Sequence, residues 1–365
     1  MLKKIFQFKR IFLLLLAPLA AVLILLAEWN NEWVEKFFVP YIYKPLHYVI
    51  GTVVSFFPFS VTEVAVILLV IFAVWYIVQL IIRIVKEKRA WKHHLYKAFI
   101  NLLCVASVAF FGFELCMGLN YYRYEAAHYL ELDVRESTTE ELYDLCLILA
   151  KDMNESRAKL KENKDGIAVL SDKNRYETGE AAMKAFKKLA EDYPILEGAD
   201  IRNKPLWSSG LFSYALTTGI YIPYTFESNI NVAVPEHTIP STMCHELTHS
   251  RGFMREDEAN FLGYLACMYS ERADFNYSGS VMAFNYCLNK LYDDDISLAK
   301  KVVKKCDAGV IDDMLYESEY WDQYFGNPVA EVTENVYNGY LEFNGEESGT
   351  KSYGKMVDLL LAYYR

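Results

Sequence analysis

Three long apolar runs occupy the first third of this chain of 365 residues and restrict its architecture more than any other feature. They extend over about residues 11–29, 65–82 and 98–119. An α-helix rises about 1.5 Å per residue, so roughly 20 apolar residues cross the hydrocarbon core of a bilayer. Each run is close to this length. We therefore expect three transmembrane helices, with the lipid bilayer as a partner of the chain.

The basic residues around these runs predict the orientation of the chain. Four Lys and Arg precede the first run, and six lie between the second and third runs against the single acidic residue Glu87. Basic segments next to membrane helices stay in the cytoplasm. A cleaved signal peptide is the alternative for the first run, but no clear cleavage site follows it. We expect a multi-pass protein of the bacterial cell membrane, with everything after residue 119 outside the cytoplasm.

Charge divides the chain at the same place. Residues 1–119 hold 12 Lys and Arg against 6 Asp and Glu, whereas residues 120–365 hold 25 against 41. The acidic second part argues against nucleic acid as a partner. We expect a membrane domain, residues 1–119, and one extracytoplasmic domain, residues 120–365. Five of the seven cysteines lie in the second domain without a C-x-x-C pair, which indicates buried thiols and weighs somewhat against export.

The stretch His245-Glu246-Leu247-Thr248-His249 has the pattern HExxH. Residues four apart lie on one face of an α-helix, so the two histidines can share a metal ion. Glu246 lies beside that face and can accept a proton from metal-bound water without being a ligand. The pattern predicts a Zn²⁺ site with Glu246 as the catalytic base. The alternative is a pair of core histidines next to a surface glutamate.

A catalytic zinc ion needs three protein ligands and one open position. Residues 255–261 read Arg-Glu-Asp-Glu-Ala-Asn-Phe, which resembles the E-x-x-A-N helix that follows HExxH in gluzincin-type metallopeptidases. The resemblance implies that Glu256 is the third metal ligand and that Asn260 hydrogen-bonds a histidine ligand. Glu258 stays an alternative to Glu256, because one sequence does not exclude a shift by two residues.

Two further elements are expected to contribute to such a site. Residues 219–226 and 232–234 are rich in β-branched and aromatic side chains, which predicts a hairpin that turns at residues 229–231. A peptide could bind its edge as an added strand, and a hairpin without a ligand is an equal alternative. No histidine follows His249, so a tyrosine or arginine must stabilise the oxyanion. Tyr353 is our candidate for this catalytic role, with simple packing as the alternative.

The apolar runs and four short segments together resemble an uncharacterised family of bacterial membrane proteins, the domain of unknown function 3810. The segments are residues 57–60, 219–225, 245–253 and 256–262. With the gluzincin resemblance, this implies a mostly helical α+β fold. Three N-terminal transmembrane helices would precede a zincin-like metallopeptidase domain with a small β-sheet or hairpin. The family resemblance adds a bacterial envelope setting but no substrate.

These observations favour a membrane-anchored, zinc-dependent endopeptidase or related amide hydrolase that acts on a peptide or protein of the cell envelope. In this interpretation Glu246 accepts a proton as water attacks a peptide carbonyl, and later returns it to the leaving amine. Two alternatives remain. One is a membrane sensor or signalling protein, and the other is a structural envelope protein, each with a zinc site that does not catalyse a reaction. A purely structural site would not need Glu246.

Overall fold

The three apolar runs are helices in the computed structural model, which describes residues 9–344 and 353–365. A 3₁₀ turn (Lys9–Leu15) leads into helix α1 (Leu16–Trp29), and helices α2 (Val61–Lys86) and α3 (Trp91–Cys116) follow. Each of the three helical stretches is long and apolar enough to cross a membrane. The prediction of three candidate spans is therefore confirmed. No side chain of α2 is buried, as expected for a helix surrounded by lipid.

The segment between α1 and α2, residues 31–55, is one helical stretch that is wound largely as π-helix, over Val34–Tyr43 and His47–Gly51. It packs against the rest of the protein instead of forming a free loop. The hydroxyl of buried Tyr43 lies 3.1 Å from the carbonyl oxygen of Ser250, to which it donates a hydrogen bond. The predicted division of the chain at residue 119 did not include this packing, because the sequence gives no sign of a contact between segments so far apart along the chain.

The part after α3 is mostly helical. Its helices are, in chain order, α4 (Ala126–Tyr129), α5 (Thr139–Arg157), α6 (Arg175–Asp192), α7 (Ser209–Tyr214), α8 (Ile239–Ser250), α9 (Glu256–Tyr269), α10 (Ala273–Asp294), α11 (Ile296–Val303), α12 (Ala308–Asp322), α13 (Pro328–Phe343) and α14 (Tyr353–Tyr364). Short 3₁₀ turns lie at Lys88–Ala90, Gly118–Tyr122, Pro194–Leu196 and Glu236–Thr238. Helix α8 carries the HExxH residues and packs against α9, α10 and the sheet described next.

In the part of the chain that the structure describes, five short strands form two small sheets. They are β1 (Lys161–Glu162), β2 (Ala168–Val169), β3 (Lys204–Pro205), β4 (Gly219–Ile222) and β5 (Glu227–Ile230). Strands β1 and β2 pair antiparallel. The other sheet has the order β3-β5-β4, with β3 parallel and β4 antiparallel to β5. Strand β4 is therefore an edge strand next to α8.

The predicted position of the second hairpin strand was wrong. The chain reverses before β5, and the strand that pairs with β4 is Glu227–Ile230, not residues 232–234. Phe226 adopts a left-handed backbone conformation (φ 53°) at this reversal and is fully buried. Its side chain packs against the rings of Tyr43 and His47. This contact with a distant segment offsets the strain that a positive φ imposes on a bulky residue.

The part after α3 is attached to one end of the candidate membrane helices. The carboxylate of Glu227 accepts hydrogen bonds from the backbone N–H groups of Val61 (2.9 Å) and Thr62 (2.7 Å), at the start of α2. The hydroxyl of Tyr224 donates to the carbonyl oxygen of Ala109 in α3, at 3.0 Å. Helix α2 has 26 residues and is about 39 Å long. The basic segment between α2 and α3 thus lies at the opposite end of the helix from these contacts.

Candidate metal centre

Helix α8 places the two histidines of HExxH one turn apart. Their Nε2 atoms lie 3.1 Å from each other, and the intervening Leu247 and Thr248 are fully buried. The helix ends at Ser250, and Gly252 then takes a left-handed conformation (φ 86°) that reverses the chain. Any side chain there would be strained, and its Cβ would lie 2.8 Å from the guanidinium of Arg123. This tight turn brings the start of α9 over the histidines.

Glu256 is the first residue of α9, and its carboxylate faces both imidazoles. Oε2 lies 3.2 Å from Nε2 of His245, and Oε1 lies 3.6 Å from Nε2 of His249. Ligand atoms of a tetrahedral zinc ion with bonds of about 2.0–2.1 Å lie about 3.4 Å apart, so the distances from the two carboxylate oxygens to the imidazole nitrogens are close to zinc spacing. Within residues 9–344 and 353–365, these three side chains are the one group of histidine, cysteine or carboxylate side chains that lies close enough to share a metal ion.

Each histidine also forms a hydrogen bond through Nδ1, on the side of the ring away from the cluster. Nδ1 of His249 lies 2.9 Å from the carbonyl oxygen of Phe253, which can only accept, so this nitrogen carries the proton. Nδ1 of His245 lies 2.9 Å from Oδ1 of Asn260, whose amide nitrogen donates to the hydroxyl of Tyr286. These bonds leave both Nε2 atoms free of a proton in the neutral rings. The donor set therefore fits a zinc ion, and Asn260 lies where the gluzincin resemblance puts it.

Glu258, the alternative third ligand, points away from the histidines. Its carboxylate accepts a hydrogen bond from the backbone N–H of Ala126 at 2.7 Å and lies 3.2 Å from the guanidinium of Arg255. Burial raises its pKa to about 7, against the lowering influence of Arg255. The geometry therefore brings Glu256, and not Glu258, to the two histidines.

Without a metal ion, the charges in the cluster balance one another. Burial would raise the pKa of Glu256, but its contacts with His245 and His249 outweigh burial and lower this pKa to about 2. Burial would lower the pKa of His245, yet the hydrogen bond and negative charge of Glu256 raise it to about 9. Burial lowers the pKa of His249 to about 4. The cluster thus pairs the Glu256 carboxylate with a protonated His245 and a neutral His249, and a bound metal ion would take the place of the His245 proton.

Glu246 is buried beside the cluster without being part of it. Burial raises its pKa to about 8, assisted by the negative charge of Glu256 and opposed by the charge of His245 and by a hydrogen bond from the backbone N–H of Tyr221. A carboxyl group with a pKa near neutrality can both accept and return a proton at physiological pH. The close approach of strand β4 requires Gly219, where a Cβ would lie 2.7 Å from Oε1 of Glu246.

The free edge of β4 faces this glutamate. The N–H of Asn231 donates to the carbonyl of Thr218, at 2.9 Å, so residues 218, 220 and 222 direct their backbone groups toward β5. The backbone groups of Gly219 and Tyr221 consequently point to the other side, toward Glu246. Tyr221 donates from this edge to Glu246, and among the described residues no further strand pairs with it. A strand edge beside a buried carboxylate is an arrangement in which an extended peptide can bind.

A tyrosine that the sequence did not single out also reaches the cluster. Tyr337 of α13 donates a side-chain hydrogen bond to Glu256. Nothing in its local sequence distinguishes it among the 28 tyrosines of the chain. The side chain of Tyr353, the predicted oxyanion donor, lies outside the described residues, and its backbone begins α14. That role for Tyr353 stays a prediction.

The comparisons with known proteins identify the family of the chain. The family model "Protein of unknown function (DUF3810)" matches residues 38–361. The chain belongs to this family. No curated protein and no solved structure matches it. The match begins inside the helical segment between α1 and α2, so the family unit includes most of this segment as well as the candidate metal centre.

Proposed function

We propose that this DUF3810 protein is a membrane-anchored, zinc-dependent endopeptidase or related amide hydrolase with a zincin-like domain. One observation carries the proposal. Glu246, a buried carboxyl group that accepts a hydrogen bond from the backbone of edge strand β4, lies beside a group of three side chains that could share a metal ion. A structural zinc site needs neither the carboxyl group nor the open edge.

The chain's own residues supply the expected chemistry. His245, His249 and Glu256 would hold the zinc ion, which when bound acts as a Lewis acid and makes water a stronger nucleophile. The edge of β4 would bind the peptide as an added strand and fix its carbonyl near the cluster. Glu246 would take a proton from the attacking water at its carboxylate oxygen and return it to the leaving amine.

We further propose Tyr337 as a donor to the developing oxyanion, in addition to the untested Tyr353. Its hydroxyl donates to Glu256, which places it beside the proposed metal site. A hydrogen bond to an oxyanion in a site shielded from water is worth more than the same bond in water. A small rotation of the side chain would move the donated hydrogen bond from Glu256 to the substrate.

We propose an extracytoplasmic active site in a bacterial cell membrane. The basic segment at the far end of α2 and α3 favours the cytoplasm, and the metal centre lies in the part attached to the opposite end. Peptides or proteins of the cell envelope are then the available substrates.

Profiling of protein termini tests the proposal. Cells that carry the native protein, Glu246→Gln or the exposed control Glu271→Gln are compared for the new N-termini in their envelope and culture fluid. We expect termini that are present in the native and control cells and absent in Glu246→Gln cells. Identical termini in all three would contradict the peptidase. A Glu246→Gln protein that complements a deletion fully would favour a sensor or structural protein.

A further inference from the structure

Helix α13 exposes an apolar stripe beside the face that touches the metal centre. Val329, Val332, Val336 and Phe343 are between 52% and 68% exposed and recur at spacings that place them on one side of the helix. The acidic residues of the helix all lie off this stripe; they are Glu331, Glu334 and Glu342. An exposed stripe of this kind marks a contact with another apolar surface.

Helix α7 extends this apolar surface toward the start of α2. Leu211 and Tyr214 of α7 are 72% and 52% exposed. Tyr214 joins the two helices, because its carbonyl accepts a hydrogen bond from the side chain of Asn327 at 2.9 Å and its ring packs against Tyr324. Just before α7, the backbone N–H of Trp207 donates to Glu63 in the first turn of α2.

The other end of the surface meets a membrane helix. Phe343 packs edge-on against Phe110 of α3, with ring centroids 6.4 Å apart. The side-chain amide of Asn101 donates to the hydroxyl of Tyr76 at 2.8 Å, which fixes the level of α3 against the antiparallel α2. Phe110 lies nine residues after Asn101 in α3, and Ile67 lies nine residues before Tyr76 in α2. Because the two helices are antiparallel, Phe110 and Ile67 lie at the same level. Phe343 therefore lies at the depth where the exposed apolar surface of α2 begins.

We propose that this surface, formed by α7 and α13, docks on the lipid bilayer. Its two ends are fixed at the start of α2 and beside α3, so it is continuous with the lipid-facing surface of the spans. Its aromatic members Trp207, Tyr214 and Phe343 are the residue types that lie at the boundary between lipid and water. Helix α13 has no basic residue, so electrostatic attraction to anionic lipids does not contribute to docking. Docking would depend on the buried apolar area and on the covalent connection of the domain to the three spans.

Docking would place the metal centre at the membrane surface. Tyr337 reaches Glu256 from the inner face of α13, and a helix is about 10–12 Å across with its side chains. The cluster would then lie about one helix diameter from the lipid. This part of the inference rests on the proposed function and names its substrate class: a peptide segment next to a membrane span, in a membrane-anchored protein.

Spin-label accessibility in nanodiscs that hold one copy of the full-length protein tests the docking. All seven cysteines lie in described residues; six are buried, and Cys306 is partly exposed and is replaced by Ser. Single cysteines then replace Val332 or Val336, with Asn335 and Glu331 as controls on the solvent side of the same helix. We expect labels at 332 and 336 to collide severalfold more often with lipid-soluble oxygen than labels at 335 and 331. The same two labels should collide severalfold less often with a water-soluble nickel chelate.

Equal exposure of all four labels to the nickel chelate would overturn the docking and leave the stripe to a second copy or a protein partner. The termini that depend on Glu246 test the substrate class. We expect the cleavage sites to lie close to predicted membrane spans of anchored proteins. Sites spread through soluble proteins would overturn the substrate class while the peptidase stands. If no terminus depends on Glu246, the substrate class falls with the function on which it rests, and the labels still decide the docking.

Discussion

At the scale of single residues, the choice between Glu256 and Glu258 shows how two nearby carboxylates take different roles. Glu256 contacts both histidines, whereas Glu258 is fixed by the backbone of Ala126 and by Arg255. We expect Glu256→Ala to reduce the zinc affinity more than Asn260→Ala, which should reduce it about 10- to 100-fold as other outer hydrogen-bond partners do.

Glu258→Ala is the control for this series. It should leave zinc bound and lower the free energy of unfolding by about 1–3 kcal/mol, because the N–H of Ala126 loses its buried partner. Competition with a zinc-binding dye and thermal unfolding measure the two quantities. Equal loss of zinc in Glu256→Ala and Glu258→Ala would mean that the ligand assignment is wrong.

A second residue-scale prediction concerns Tyr337. If its hydroxyl stabilises the oxyanion, Tyr337→Phe should lower the turnover of a Glu246-dependent cleavage by about 100-fold or more while zinc stays bound. Tyr340→Phe is the control, because it removes a hydroxyl from the same helix that hydrogen-bonds to Tyr121 and Met117. Unchanged turnover in Tyr337→Phe, or an equal loss in both variants, would remove Tyr337 from the mechanism.

At the scale of elements, the site depends on the close packing of α8 against α9. A Cβ on Gly263 of α9 would lie 3.0 Å from the backbone nitrogen of His245 and 3.1 Å from its Cα. We expect Gly263→Ala to push the helices apart and cost about 1–3 kcal/mol of stability, as overpacking does. The movement also separates Glu256 from the histidines, so the zinc affinity should fall.

Gly210→Ala, whose Cβ would lie in open space, should leave the zinc affinity unchanged. Parallel zinc titrations of the two variants make the comparison. A Gly263→Ala protein that binds zinc as tightly as the native one would mean that the helix separation does not set the geometry of the cluster.

The elements also show what the sequence could reveal. The capping box of Thr138 and Glu141 that begins α5 has a local signal, a Ser or Thr followed three residues later by Glu. The three spans and the HExxH helix were likewise readable from spacing alone. The position of β5 was not, since the buried contacts of Phe226 with Tyr43 and His47 decide where the chain turns. The approach of Tyr337 to Glu256 depends on tertiary packing of the same kind.

At the scale of the whole molecule, the proposed function requires that the metal centre and the C-terminus lie outside the cytoplasm. We expect a C-terminal tag on intact cells, or on protoplasts where a wall blocks access, to be degraded by added protease. A tag fused after Glu87, in the basic segment, should be protected until lysis. The reverse pattern would put the site in the cytoplasm, which the buried free cysteines would then suit.

X-ray absorption at the zinc edge tests the central claim, the metal centre itself, most directly. The account predicts about one zinc per full-length chain, bound by two imidazole nitrogens and by oxygen at about 2.0–2.2 Å. The imidazole signal should disappear in His245→Ala, His249→Ala and stay in Glu246→Gln. A chain without zinc would contradict the account. So would a zinc with a sulfur ligand at about 2.3 Å, or full zinc occupancy in the double histidine variant.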